Sequence, residues 1–145
     1  MAAGTGDVEP YAPGDQELRS ILGSARTIAV VGLSSDTSKY SNEVGSYLQE
    51  HGYRIIPVNP NETEVLGEKA YPSLLEVPDR IDAVDVFRKA EHTPEIARQA
   101  VQVGAKVLWL QNDIVNDEAR RIAEDGGLDV VMGVCMMVTH RRLGV

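Results

Sequence analysis

Cysteine is almost missing from this chain of 145 residues: Cys135 stands alone, so no disulfide framework can form within it. Only three histidines occur, His51, His92 and His140, too scattered to give a zinc-ligand spacing, and no metal site is expected. Basic residues are outnumbered, 14 against 22 acidic, for a formal net charge of −8. That balance excludes a protein that grips long nucleic acid through a broad basic face, although a small anion can still bind locally. No apolar run approaches the roughly 20 residues of a membrane span, and the first residues lack the basic-then-apolar pattern of an export signal. A soluble, cytoplasmic protein that binds neither membrane nor nucleic acid is the expectation, and a reducing compartment suits the single thiol. Internal repeats and low-complexity blocks are also lacking. What is present, 43% hydrophobic and 25% charged residues, suffices for one cored domain and not for two.

The stretch Thr27 to Ser41, TIAVVGLSSDTSKYS, organises the rest. Ile28, Ala29, Val30 and Val31 form the unbroken apolar run of a strand buried on both faces of a parallel sheet. Gly32 ends it, and without a Cβ its backbone can turn sharply and approach a ligand. The amides of Leu33, Ser34 and Ser35 and the serine hydroxyls are suited to phosphate oxygens. Lys39 adds positive charge, and Ser41 or Asn42 is placed to cap a helix whose N-terminal dipole points at the loop.

Residues 1–14, rich in Gly, Pro and Ala, read as a flexible arm, and 15–145 as the domain. Asp15 is expected to cap a short helix through Leu22, stopped by Gly23. After the loop, Val44, Tyr47 and Leu48 mark a helix, and Tyr53 to Val58 a second strand, bringing Asn59, Pro60 and Asn61 to the ligand edge. Residues 62–78 read as a loop with one helical turn. Ala83 to Phe87 is the third strand. A helix follows, capped by Thr93 with Pro94 in its first turn; next come Lys106 to Leu110 as strand four, a helix begun by Asn116, and strand five over 128–134. Residues from Cys135 read as a tail. Strand alternating with helix implies an α/β, Rossmann-like, doubly wound and mostly parallel five-stranded sheet in a single domain, with expected strand order 3-2-1-4-5. Ligands bind such sheets at the C-terminal strand edges, where Gly32 to Ser35, Asn59 to Asn61, Phe87 with Arg88, and Gln111 with Asn112 gather.

The dinucleotide fingerprint fails here: no further glycine follows Gly32 in register, and strand two ends in Asn59 and Pro60 rather than the carboxylate that holds the NAD ribose. No P-loop motif exists. The ligand needs a phosphate cradle without a ribose-diol clamp, and coenzyme A, whose ribose carries a 3′-phosphate, meets that description, with Lys39 and Arg88 as its cations.

These segments resemble a known family. VVGLS (30–34), the K-x-S of Lys39 to Ser41, YRIIPVNP (53–60), FRKAEHTPEI (87–96) and WLQ (109–111) are together similar to the small, single-domain CoA-binding proteins that resemble the N-terminal domain of the succinyl-CoA synthetase α subunit. The resemblance implies that Gly32, Leu33, Ser34, Ser35, Lys39 and Ser41 serve the phosphates, with Lys39 open between pyrophosphate and 3′-phosphate. Asn59 and Pro60 would then lie against the adenosine, Val86, Phe87 and Arg88 would form the opposite wall, and Gln111 and Asn112 would meet the pantetheine. It carries over a fold and a ligand, not the ligase reaction: the expected function is binding of CoA or acyl-CoA without catalysis.

Two alternatives stay open, an NAD(P)-binding redox enzyme or sensor and a nucleotide-responsive interaction protein; exposed faces of so small a sheet also leave room for a homodimer. Cys135 reads either as a buried, inert thiol or as a site of thiol exchange with CoA. Trp109 is expected in the core, the histidines at the surface or in caps, and Arg88 either at the ligand or paired with Glu91.

Overall fold

Apolar runs too short for helices and too continuous for a half-exposed sheet dictate strands covered on both sides. A computed structural model of the chain, describing residues 9–145, contains five of them. Helix α1 (Asp15–Ser24) leads into β1 (Thr27–Val31), α2 (Tyr40–Glu50) and β2 (Arg54–Val58). A short antiparallel pair, β3 (Glu64–Val65) and β4 (Glu68–Lys69), and a 3₁₀ turn at Leu74–Glu76 precede β5 (Ala83–Val86). Then come α3 (Thr93–Gln102), β6 (Val107–Leu110), α4 (Asp117–Asp125), β7 (Asp129–Met132) and α5 (Met136–Leu143). All neighbours in the main sheet are parallel. Side-chain alternation sends Ile28, Val30, Ile55, Trp109 and Val131 into one core with α1, α2 and α5. Ala29, Val31, Val84, Val86 and Leu108 enter the other, where the alanines of α3 and α4 let the helices approach closely.

The α/β doubly wound class is as expected; the strand order is not. It is β2-β1-β5-β6-β7, that is 2-1-3-4-5 in place of 3-2-1-4-5. The outer edge of β2 is taken by Tyr71, whose amide donates to the Pro57 carbonyl (3.0 Å) and whose carbonyl accepts from Asn59 (2.8 Å). That single bridge lies at the C-terminal end of the β2 edge, and the chain then returns to place β5 beside β1. The reversal of direction, where ligands bind such sheets, falls between β1 and β5.

Local readings need correction at several points. Residues 62–78 hold a hairpin whose turn residues Leu66 and Gly67 have φ of 55° and 79°, as a two-residue primed turn demands. Leu66 tolerates this because it packs into the α2-side core and its carbonyl accepts from Gln49 Nε2 (3.0 Å). Helix α1 continues through Gly23 to Ser24, and Thr93 does not cap α3 but donates backwards to the Ala90 carbonyl (2.6 Å). Asn116 does cap α4, accepting from the Ala119 amide at 2.8 Å. Residues after Cys135 form α5, with Met136, Met137, His140 and Leu143 buried and Gly144 closing it in the left-handed region. His140 is thus a core residue, bonded to the Tyr47 hydroxyl (2.9 Å), and burial holds its imidazole below the usual range. Of the expected arm, residues 1–8 lie outside the described residues; Tyr11 pairs with Met132 through two backbone hydrogen bonds (2.9 and 2.7 Å) and lies under the Arg120 guanidinium.

At the centre of the sheet, Asp85 on β5 is fully buried and accepts from Gln111 Nε2 at 2.6 Å. Asp85 Oδ2 and Gln111 Oε1 are two buried acceptors without a donor. A proton on Oδ2 provides that donor and makes the acid and the amide complementary, and burial raises the carboxyl accordingly, to about 7. Because the folded value lies above the unfolded 3.8, the stability tied to the neutral acid is full below pH 3.8 and lost as pH rises through 7. Because the His140 imidazole, held below its usual range, contributes in the opposite direction, the Asp85 contribution is read against Asp85→Asn: relative to that variant, the wild type is expected to lose about 2–4 kcal/mol between pH 5 and pH 8 in denaturation. Asp85→Asn, which supplies the N–H permanently, flattens that dependence and is the more stable protein at pH 8; an equal loss in the variant refutes the assignment.

Candidate functional site

The site begins with a contact that only one residue can make. Gly32 leaves β1 with φ of 91°, its amide donating to the Val58 carbonyl at 2.8 Å. A Cβ there would stand 2.4 Å from the Phe87 carbonyl oxygen, so Gly32 is needed both for its conformation and for the approach of the β5 exit. Phe87 donates its own amide to Val31 (2.8 Å), locking the two strand ends side by side. The observed strand order makes Phe87 and Arg88 immediate neighbours of the Gly32 loop; in the expected order they would have stood at the far edge.

The loop after Gly32 is wired from three sides. Leu33 is fully buried, and its carbonyl accepts from Asn59 Nδ2 at 3.1 Å. Asn59 Oδ1 in turn accepts from the Asn61 amide, so both ends of that side chain serve the loop and its neighbouring turn. Ser41 and Asn42 are buried and do not cap α2. Ser41 Oγ accepts from the Ser34 amide (3.1 Å), and Asn42 Nδ2 donates to the Ser34 carbonyl (2.9 Å). The Asp36 amide donates to Ser34 Oγ at 3.0 Å. The Ser35 amide and hydroxyl both donate to Glu62 Oε2, at 2.8 and 3.0 Å. The Ser35 donors are therefore a seat for an anion, since they already hold one, and the N-terminus of α2 faces the same region. Glu62 was not legible in the sequence: it lies 27 positions from Ser35, in a stretch whose composition reads as loop.

On the α3 side of the same edge lies a cleft of about 350 Å³ lined by Val31, Val58, Pro60, Pro72, Ser73, Leu74, Arg88, His92, Ile96 and Gln99. It brings Pro60 and Arg88 together and adds His92 and Ile96, which lie in the 87–96 segment of the resemblance but carry no expected site role, and Leu74, which carries no sequence signal beyond its own turn. Arg88 is half-buried, Lys39 is exposed, and neither makes an ion pair among the described residues, with Glu91 or otherwise.

The remaining positions divide. Val86 is buried within β5, and Gln111, 1% exposed, has its amide committed to Asp85, whereas Asn112 is exposed at the strand end. On the α2 side of the edge, Tyr40 meets Phe87 edge-on, ring centres 6.4 Å apart, and its hydroxyl lies 2.8 Å from Cys135 Sγ. Burial, and then the bond to Cys135, raises the Tyr40 phenol far above its ordinary value, so it stays protonated. Cys135 is buried, and Trp109 is a core residue whose indole donates to the Val134 carbonyl.

Known proteins share this fold. The sequence profile of a family described as a CoA binding domain matches residues 26–141, four-fifths of the chain. The chain belongs to this CoA-binding domain family. An uncharacterized protein of Bacillus subtilis, YneT, is 41% identical over 128 residues, covering 88% of this chain and 95% of the relative. The α subunit of acetate–CoA ligase (ADP-forming) II from Pyrococcus furiosus is 47% identical over 81% of this chain, which spans 29% of that subunit. Among solved structures, a hypothetical protein from Pyrococcus horikoshii superposes with a TM-score of 0.90 at 44% identity, covering 96% of this chain and 99% of the other. A Korarchaeum acetyl-coenzyme A synthetase gives 0.67 at 25%, this chain covering 27% of it. Within the family, the present member thus corresponds to whole small proteins and to a minor part of the ligases, as the resemblance implied.

The Gly32 contact is directly testable. Gly32→Ala must move the Phe87 carbonyl and hold alanine at positive φ, and is expected to cost at least about 2 kcal/mol in urea denaturation. Gly52→Ala, also at positive φ but with open space around its Cβ, pays the conformational part alone. Equal losses at the two positions rule out a special role for the Phe87 approach.

Proposed function

We propose that this protein binds CoA or an acyl-CoA across the C-terminal edge of β1 and β5 and performs no catalytic step of its own. One observation carries the reading. An apolar cleft holding an unpaired arginine, Arg88, and a serine loop that already seats an anion open onto the same strand reversal, in a chain of the CoA-binding domain family. Val31, Val58, Pro60, Leu74 and Ile96 offer the adenine an apolar bed, and Arg88 stands where a phosphate on the ribose can reach it. The pyrophosphate lies over Ser34 and Ser35 toward the start of α2, with Lys39 near, and the pantetheine leaves past Phe87 and Tyr40 toward Asn112. The ligase relatives, named for reactions with CoA, support the choice of ligand. Both ends of Asn59 are used by backbone groups, so Asn59 itself is not free to clamp a ribose diol.

Isothermal titration with CoA, using dephospho-CoA, NAD and NADP as comparators, tests this. CoA is expected to bind, and dephospho-CoA more weakly. Arg88→Ala and Lys39→Ala are each expected to weaken CoA by roughly 1–3 kcal/mol, the scale of a lost charge-assisted hydrogen bond. The cation whose removal abolishes discrimination against dephospho-CoA is the one that meets the 3′-phosphate. Unchanged affinity in both variants, or preference for NADP, overturns the assignment.

A further inference from the structure

The Ser35 seat is filled by the protein itself. Of the three loop amides traced above, those of Ser34 and Asp36 donate to neutral hydroxyls, while that of Ser35, together with its side chain, donates to a carboxylate. Ser35 is exposed and Glu62 half-buried, so an incoming anion can reach the pair from solvent. A phosphate and a carboxylate cannot share the same two donors: both carry negative charge, and at hydrogen-bonding separation their repulsion is unrelieved unless one withdraws.

We propose that Glu62 is a resident anion that the ligand's phosphate displaces, and that it thereby sets the selectivity of the site. The proposal rests on the reading of the loop as the phosphate seat. In the unliganded chain Glu62 satisfies the Ser35 donors. A free phosphate ion, which gains only what Glu62 gives up, competes poorly; a ligand also held by the adenine cleft and Arg88 carries the surplus to evict the carboxylate. The displacement is confined to a short segment. The Glu62 amide donates to the Asn59 carbonyl (3.2 Å), and just beyond it the hairpin is held to α2 through Gln49 and Leu66. Glu62 can swing away while the hairpin stays docked.

Two variants separate charge from loop shape: Glu62→Gln keeps an oxygen acceptor for Ser35 without the charge, and Glu62→Ala removes both. Titrated with CoA, each is expected to bind about 5- to 50-fold more tightly than wild type, the range set by losing a charged competitor for two hydrogen bonds. Inorganic pyrophosphate, followed through the Ser35 amide by nitrogen-15 NMR, is expected to bind Glu62→Gln measurably more tightly than wild type. Affinities for CoA that are unchanged or weaker in both variants overturn the proposal. Should wild type and both variants fail to bind CoA, the CoA reading falls, and the pyrophosphate titration decides this one separately: tighter binding in Glu62→Gln upholds the displacement, and equal binding refutes it.

Discussion

Everything at the ligand edge depends on how closely β1 and β5 run out of the sheet together. The missing Cβ of Gly32 admits the Phe87 carbonyl to a distance no side chain would allow, and the Phe87 amide returns a hydrogen bond to Val31. This contact draws the serine loop and the Phe87–Arg88 segment to either side of one point. The cleft on the α3 side and the Tyr40–Phe87 pair on the α2 side are consequences of it. A wider separation would leave the same residues present but not convergent, and a ligand as long as CoA would find no continuous path.

The strands were legible because each is an apolar run bounded by Gly, Asn or Asp, and their observed limits fall within two residues of the expected ones. Their order was not. The return of the chain from the β2 edge, where Tyr71 makes one bridge, to the side of β1 leaves no local mark, since nothing in the composition of residues 62–78 distinguishes a loop from a segment that pairs with a strand edge. Helix α5 escaped for a different reason. His140, Arg141 and Arg142 read as a polar tail, yet cations in a last turn and a glycine after it are what the end of a helix favours. At the candidate site, the residues that follow Gly32 were legible as a loop, because glycine and serine after an apolar strand signal one. Glu62, and the diversion of Ser41 and Asn42 from capping to bracing, depend on contacts across 7 to 27 positions and required the fold.

The interior shows why Gln111 stands apart from the residues around it. An amide at the end of a central strand suggests a ligand contact, but here it is engaged by the adjacent strand: Asp85, buried beside Trp109 on the α2-side core, ionises only at a cost, and Gln111 is its partner. The pair ties β5 to β6 just below the ligand edge, so its contribution to the site is stiffness. Hydrogen bonds of this kind add little net stability, but they penalise any rearrangement that would leave either partner unpaired.

To receive a polyanion such as CoA, as proposed, an acidic protein must overcome its own field. With a formal charge of −8, long-range attraction cannot bring CoA to the site. At physiological salt that field fades within about 8 Å, leaving recognition to groups in direct contact. This explains the economy of the site. On the proposed reading, two cations without an ion pair among the described residues, a helix N-terminus and a serine hydroxyl with its amide meet the ligand at hydrogen-bonding range. It also gives the proposed role of Glu62 a physical rationale: exposed donors that water would otherwise meet are held by a tethered carboxylate, which a small anion in solution must outcompete. On that proposal, the residue that completes the loop makes capture of a ligand conditional on contacts elsewhere in the cleft.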